Sequence, residues 1–400
     1  MTRTVLYDAS EVFCGPDERI EDGAVAVDDG RIVAVGPSDA VTREHPPENA
    51  ETAIDASGRA VLPGFVDAHT HALFAGDRAD EFAAKLRGES YQDILVAGGG
   101  ILRTVRAVRE ARSEELLANL RSHLDVMLAH GTTTVEVKSG YGLDTETELR
   151  MLDVVARADD AHPVDVVPTF MGAHAVPEGR EAGAYATEVA TEQVPAVAEQ
   201  GVAEFCDVFC EEGVFTVEQS REVLEAGLDH GLAPKVHAEE LAHVGGARLA
   251  AEVGATSADH LLHATREDAA ALADAGVTPV FLPGTAFGLG AEYADPDPFV
   301  AADAPVAVAT DFNPNCYARG MGFAVTLACV GMGMTPADAV AAATRGGARA
   351  LGRDDRGTLE PGARADLVVV EGPSHVHVPY TFGTNAVDVV VKDGEVVHAR

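Results

Sequence analysis

The stretch "PGFVDAHTHALFAGDR", Pro63 to Arg78, decides how the rest of the chain is read. Apolar residues run into Asp67, His69 and His71. Side chains alternate with period two along a β-strand, so two histidines one residue apart present both imidazoles to the same side. A metal ion would explain such a pair. A lone histidine at a strand end is more often a core or rim residue, so the remaining chain must bring further donors to the same place.

Upstream of residue 63 the chain runs in short alternating stretches, "RTVLYDASEVF", "GAVAVDDGRIVAVG" and "AETAIDASGRAVLPG", and Asp29-Gly30 suits a tight hairpin turn. The far end repeats this style in "ADLVVVEG" and "AVDVVVKDGEVVHAR", with Asp393-Gly394 as a second hairpin signal. Residues 1–62 and 356–400 therefore read as one small composite β-sandwich domain built from both chain ends. Between them, β-branched runs alternate with Ala/Glu/Leu-rich helical stretches, the pattern of βα units around a parallel sheet. Eight strand candidates follow in order: "AVLPGFVDAHTH", "TTTVEVKSGYG", "VDVVPTFMGAH", "AEFCDVFCEEG", "APKVHAEE", "TSADHLLH", "VTPVFLPGTAF" and "PVAVATDFNP". Helices are expected over Ser113 to His130, Thr145 to Ala158, Val217 to His230 and Pro336 to Leu351. Eight such units over 63–355 predict an α/β fold, a (β/α)8 TIM-like barrel of the metal-dependent hydrolase kind, of a size close to the ~250 residues typical of that architecture.

Polar residues gather at the C-terminal ends of these segments, the face on which such barrels carry their active sites. His69 and His71 end the first strand, Tyr141 follows the second and His174 the third. His237 and Glu240 end the fifth, His260 the sixth, and Asp311 and Asn313 the eighth. His69, His71, His237 and Asp311 supply enough nitrogen and oxygen donors for one first-row ion, zinc or iron above all. Such an ion lowers the pKa of a water it holds from ~15.7 towards about 7, which makes hydrolysis the natural reaction. Glu240 is placed to give a proton to a departing nitrogen, while Asp311 or His260 could accept one, a choice the residues leave open. Lys138, near the end of the second strand, is read as structural or ionic. His123, His130, His162, His230, His243 and His263 lack comparable placement and are read as surface or structural.

Composition narrows the setting. The 400 residues are 46% hydrophobic and carry 65 acidic against 29 basic residues, a formal charge of -36. Only Lys85, Lys138, Lys235 and Lys392 are lysines. A surface this acidic repels nucleic acid and anionic membrane. The acids are scattered along the chain, so no acidic tail accounts for them. In ~1 M salt the Debye length falls to about 3 Å and most self-repulsion disappears, so a halophilic, salt-adapted cytoplasm is expected. No apolar run reaches the ~18 residues of a membrane span and the N-terminus lacks a signal-peptide pattern. Five cysteines without a CxxC pair suggest neither a disulfide framework nor a cysteine-rich metal site.

The motifs "PGFVDAHTH", "KVHAEE", "SADH" and "ATDFNP", in that order and flanked by split β-strands, resemble the amidohydrolase superfamily. "FAGDR", "KSGYGL" and "PTFMGAHAVP" are similar to one branch of it, which opens the ring of 4-imidazolone-5-propanoate to N-formimidoyl-L-glutamate in histidine degradation. The resemblance implies one Zn or Fe ion per subunit held by His69, His71, His237 and Asp311, with Glu240, His260 and Asp311 catalytic. It implies substrate contacts from Arg78, Tyr91, Tyr141, His174, Glu240 and Asn313, and a homodimer. The expected partner is thus a small anionic heterocycle, for which Arg78 offers a bidentate fork. Where the branch carries glycine and a small hydroxyl residue after "DFNP", this chain has Asn315 and Cys316. Both are kept as binding positions, Asn315 because asparagine tolerates left-handed backbone. A purine or pyrimidine deaminase of the same superfamily and a non-catalytic binding protein are the alternatives; the first would need base-edge partners, the second would have lost ligands.

Overall fold

In the computed structural model, which describes residues 3–89 and 98–400, the chain starts and finishes in one sheet. β1 (Arg3–Phe13), β2 (Arg19–Asp28), β3 (Arg31–Pro37), β4 (Thr52–Asp55) and β5 (Ala60–Pro63) come from its beginning. The barrel strands β6 (Phe65–Asp67), β7 (Thr132–Lys138), β8 (Asp165–Ala173), β9 (Phe205–Cys210), β10 (Ala233–Ala238), β11 (Ser257–His260), β12 (Thr278–Phe281) and β13 (Ala307–Val308) follow. β14 (Leu367–Val370), β15 (Val387–Lys392) and β16 (Glu395–Ala399) then return to the first sheet. Its order is β16-β15-β14-β5-β1-β2-β3, with β4 beside β1. Both Asp-Gly pairs form hairpin tips: φ is 50° and 73° at Asp29 and Gly30, and 49° and 81° at Asp393 and Gly394, the left-handed pair that a type I′ turn requires.

Alternation along these strands sorts their side chains between two cores. Leu6, Val25, Ile32, Val61, Leu367 and Val369 pack together inside the end sheet. Their chain neighbours Ala60, Leu62, Val368 and Val370 belong to the core shared with the barrel. The composite sheet is thereby fastened to the barrel by every second residue of its central strands.

The barrel strands are parallel and lie side by side in chain order from β6 to β13. The seam between β13 and β6 is stapled at its C-terminal end. Thr310 donates to the Asp67 carboxylate from its amide at 3.0 Å and from Oγ1 at 2.6 Å. Just beyond, the Asp311 amide donates to His69 O at 3.1 Å and the His71 amide to Phe312 O at 2.9 Å. Burial pushes the Asp67 carboxyl up to about 7, against the lowering effect of the Thr310 bonds. Asp67 is thus a barrel staple at the edge of the site.

The expected helices form as Ser113–Ala129, Thr145–Asp159 and Val217–Asp229. The fourth is interrupted, running as Pro336–Ala341, a π-helical turn over Ala342–Gly346, and Gly347–Ala350. No helix among the described residues is long and apolar enough to cross a membrane.

One expectation needs correction. "AVLPGFVDAHTH" forms two short strands in different sheets, β5 pairing with β14 and β1 while β6 pairs with β7. Gly64 is the crossing point: its amide donates to Asp366 O at 2.8 Å, and a Cβ on it would lie 2.4 Å from Thr133 Oγ1. Gly64→Ala should therefore cost about 1–3 kcal/mol through overpacking at the junction, read as a lower denaturant midpoint in ~2 M KCl, with secondary structure unchanged below the transition.

Candidate active site

His69 and His71, at the end of β6, meet His237 from β10 and Asp311 from the end of β13. His69, His71 and His237 each offer a ring nitrogen, all three within 4.8 Å of one another. His69 Nδ1 donates to Asp259 Oδ2 at 2.6 Å and His237 Nδ1 to Asp207 Oδ1 at 3.1 Å. A neutral imidazole whose Nδ1 carries the proton must present a lone pair at Nε2. His69 Nε2 accordingly faces Asp311 Oδ1 at 3.5 Å, and both atoms are buried with no hydrogen-bond partner among the described residues. His237 Nε2 lies 3.3 Å from His71 Nε2, which in turn is 3.7 Å from Asp311 Oδ1. Burial, with Lys138 and the neighbouring imidazoles adding to it, drives the His69 pKa well below its ordinary value. Acceptors converging on one point, with no donor between them among the described residues, fit a metal cation.

Beneath this cluster lies a layer of buried charge. Lys138 Nζ reaches Asp207 Oδ2 at 2.6 Å, Glu136 Oε2 at 2.8 Å and Asp259 Oδ2 at 3.7 Å. Lys235 Nζ reaches Glu136 Oε1 at 2.9 Å and Ala68 O at 2.9 Å. Burial would lower the Lys138 pKa, but Asp207, Glu136 and Asp259 outweigh it and push it up. Asp207 is likewise raised by burial yet held well below the carboxylate range by His237 and Lys138. Lys138 thus has the ionic role expected of it. Glu136, Asp207, Lys235 and Asp259 were not anticipated, although each is a charged residue inside a stretch otherwise reading as a buried strand.

At the rim, Glu240 Oε2 lies 3.5 Å from His260 Nε2. Burial pushes the Glu240 carboxyl up to about 8, with Asp311 and Glu211 adding to it. His260 and Asp311 have φ of 79° and 50°. Non-glycine residues held in that region cost about 1–3 kcal/mol and cluster at functional sites. Asp311 Oδ2 accepts from Thr285 Oγ1, which leaves Oδ1 turned to the histidines.

His174 stacks on His71 with centroids 4.6 Å apart and planes 14° from parallel. Its Nδ1 donates to Gly140 O at 3.0 Å, and burial, reinforced by His237, lowers its pKa to about 3. Nε2 is therefore an acceptor, suited to a ligand N–H. Tyr141, buried beside it at 5.2 Å between centroids, follows β7 in a loop tied down by Glu148, whose carboxylate accepts from Gly140, Gly142 and Leu143 at 2.7–2.9 Å. Arg78 acts electrostatically on Tyr141 and is itself bound to Glu81 Oε2, from Nε at 2.8 Å and Nη2 at 2.7 Å.

The loop after β13 departs from expectation. Asn313 is engaged in shaping it: Nδ2 donates to Asp311 O at 2.8 Å, and Oδ1 accepts from the amides of Asn315 at 2.7 Å and Cys316 at 3.0 Å. Asn315 does not adopt the left-handed backbone invoked for it; its side chain accepts from Lys85 Nζ at 2.8 Å. The Cys316 thiol donates to Thr310 O at 3.6 Å and is buried there. Tyr91 lies outside the described residues. His123, read as structural, supports the loop after β6 through Nδ1 and Ala72 O at 2.8 Å.

The chain belongs to the amidohydrolase family, whose model matches residues 60–397. Within that family it belongs with the imidazolonepropionases. Residues 23–47 match the imidazolonepropionase-like composite domain of bacteria. The chain is 68% identical to the imidazolonepropionase of Haloarcula marismortui over 400 residues, covering 98% of this chain and 95% of the relative. It is 63% identical to that of Halobacterium salinarum over 405 residues (98% and 97% covered) and 49% to that of Geobacillus kaustophilus over 383 residues (94% and 90%). Among solved structures, a triazine hydrolase variant superposes with a TM-score of 0.79 at 18% identity over 99% of this chain and 95% of its own. An adenosine deaminase from Xanthomonas campestris with bound zinc gives 0.75 at 20% identity, over 99% and 92%. At such identities these two establish the shared fold.

Removing one member of the buried layer strands its partners. Lys138→Met should cost about 3–5 kcal/mol, because Glu136 and Asp207 lose their shared counter-charge inside the barrel, measured as a loss of unfolding free energy against guanidinium in the metal-free protein.

Proposed function

We propose that this protein hydrolyses the ring C–N bond of 4-imidazolone-5-propanoate, yielding N-formimidoyl-L-glutamate. The observation that carries the reading is the convergence of His69 Nε2, His71 Nε2, His237 Nε2 and Asp311 Oδ1, with the Glu240 carboxyl 3.5 Å from His260 at the rim. Residues 63–355 form the catalytic unit, with 1–62 and 356–400 as its composite partner domain. We take the assembly to be a cytoplasmic homodimer. His69, His71, His237 and Asp311 would hold one zinc or iron ion per subunit, which when bound polarises the ring carbonyl and activates a water.

The chain's own residues account for the rest. Water adds to the ring carbonyl carbon, forming a C–O bond, while the adjoining C–N bond breaks and its electron pair stays on nitrogen. Asp311, whose Oδ1 has no hydrogen-bond partner among the described residues, takes the proton the water gives up. Glu240, kept protonated near neutral pH by its buried setting, delivers one to the departing nitrogen. His260, 3.5 Å from Glu240, orients that carboxyl. His174 Nε2 accepts from a ring N–H, Tyr141 packs against the ring, and Arg78 lies on the side of the propanoate. Asn313, Asn315 and Cys316 shape the loop that carries Asp311 to the histidines. A base deaminase would use the same upper barrel, but its substrate has no carboxylate to occupy the cationic side.

The direct test is loss of absorbance of freshly prepared 4-imidazolone-5-propanoate in ~2 M KCl, where surface repulsion is screened. Rapid turnover, abolished by chelation and restored by zinc or iron, is expected; a folded, metal-loaded protein that leaves the substrate intact overturns the reading. Glu240→Gln should retain its metal and lose at least ~100-fold in kcat, checked by parallel metal analysis and steady-state kinetics.

A further inference from the structure

Arg78 is the residue first assigned to an anionic substrate, yet its charge is already matched. Glu81 Oε2 accepts from both Nε and Nη2. One helix, Ala79–Leu86, carries two further charged residues in contact with their neighbours. Asp80 is matched by Arg103, whose Nη1 reaches its two oxygens at 2.7 and 2.8 Å. Lys85 differs: among the described residues its partner is the neutral amide oxygen of Asn315, at 2.8 Å. A neutral amide satisfies one ammonium donor and cancels none of its charge, and Glu81, the carboxylate that also acts on Lys85, has its Oε2 bonded to Arg78.

Position gives that charge a use. Asn315 belongs to the loop that Asn313 links to Asp311, and Asp311 Oδ1 stands 3.5 Å from His69 Nε2. Arg78 and Glu81 act on Lys85 with opposite sign, Arg78 more strongly, and Arg78 acts on Tyr141 as well. Lys85 therefore sits where the helix after β6 meets the loop after β13, beside the fork assigned to the substrate and half-buried. Screening by salt is weak for a charge so placed, unlike the charges of the open surface.

Resting on the proposed substrate class, we propose that Lys85 is the residue that selects for an anionic side chain: it supplies the net positive charge, and Arg78, neutralised by Glu81, supplies direction. Asn315 holds the ammonium without discharging it. A carboxylate at that position would discharge it.

The test compares the propanoate substrate with its propanamide in wild type and variants, in ~2 M KCl. Wild-type turnover of the propanoate checks the substrate reading by itself; without it, that reading fails before Lys85 is at issue. Given turnover, wild type should favour the acid over the amide in kcat/KM. Lys85→Met should raise KM for the acid about tenfold or more, with kcat changed far less, and leave kcat/KM for the amide close to wild type. Lys85→Arg should keep most of the preference. Asn315→Asp decides between charge and scaffolding: it retains and strengthens the link to Lys85 while cancelling the charge, so the acid preference should fall as in Lys85→Met. Preserved preference in Asn315→Asp, or an equal loss on acid and amide in Lys85→Met, would overturn the assignment.

Discussion

The site depends on five charged side chains that never meet water. Glu136, Lys138, Asp207, Lys235 and Asp259 come from four strands and neutralise one another inside the barrel. Their order matters more than their sum. The lysines take up much of the carboxylate charge, and the free carboxylate edges accept from His69 Nδ1 and His237 Nδ1. Those two bonds fix tautomer and ring rotation, so the His69 Nε2 lone pair is turned to Asp311 and that of His237 to His71 Nε2 before anything binds. An apolar layer of the same volume would pack as well, but would leave the imidazoles free to rotate or to take the wrong tautomer.

A second set of carboxylates performs the matching task for the backbone. Glu148 gathers three amides of the loop after β7, Glu211 the amides of Glu240 and Leu241 at 3.1 and 2.8 Å, and Glu239 those of Val244, Gly245 and Ala247. Loops that bear functional groups would otherwise leave buried amides unpaired, at about 1–3 kcal/mol each. Here the same bonds set where Tyr141 and Glu240 stand. The strained backbone of His260 and Asp311 is then held by its surroundings and has no freedom to relax.

Much of this was legible in the sequence because strand periodicity is local. The pair His69-x-His71, the eight βα units and both Asp-Gly turns depend on residues within a few positions of each other, and all were readable. What escaped depends on contacts across the barrel. Asp207 and Lys235 are single charges in apolar runs, and nothing local says that they point inward, Asp207 to Lys138 and Lys235 to Glu136. The break at Gly64 was hidden because apolar residues continue on both sides of it, one run serving two sheets. Asn315 and Cys316 contact Lys85 and Thr310, neither of which adjoins them in the chain, so a local motif gives no sign of either contact.

The acidic surface and the cationic pocket belong to one argument about distance. With a formal charge of -36, an anion approaching in dilute buffer meets a repulsive field long before it reaches any single side chain. In ~1 M salt that field dies within about 3 Å, and only charges at contact count. Lysine usage follows the same logic: Lys138, Lys235 and Lys392 are buried against carboxylates, and Lys85 is half-buried at the site. All four lysines thus stand where low dielectric or close contact makes a compact charge effective. Salt adaptation of the surface therefore does not conflict with recognition of an anion, because recognition takes place inside the distance over which the surface can be felt.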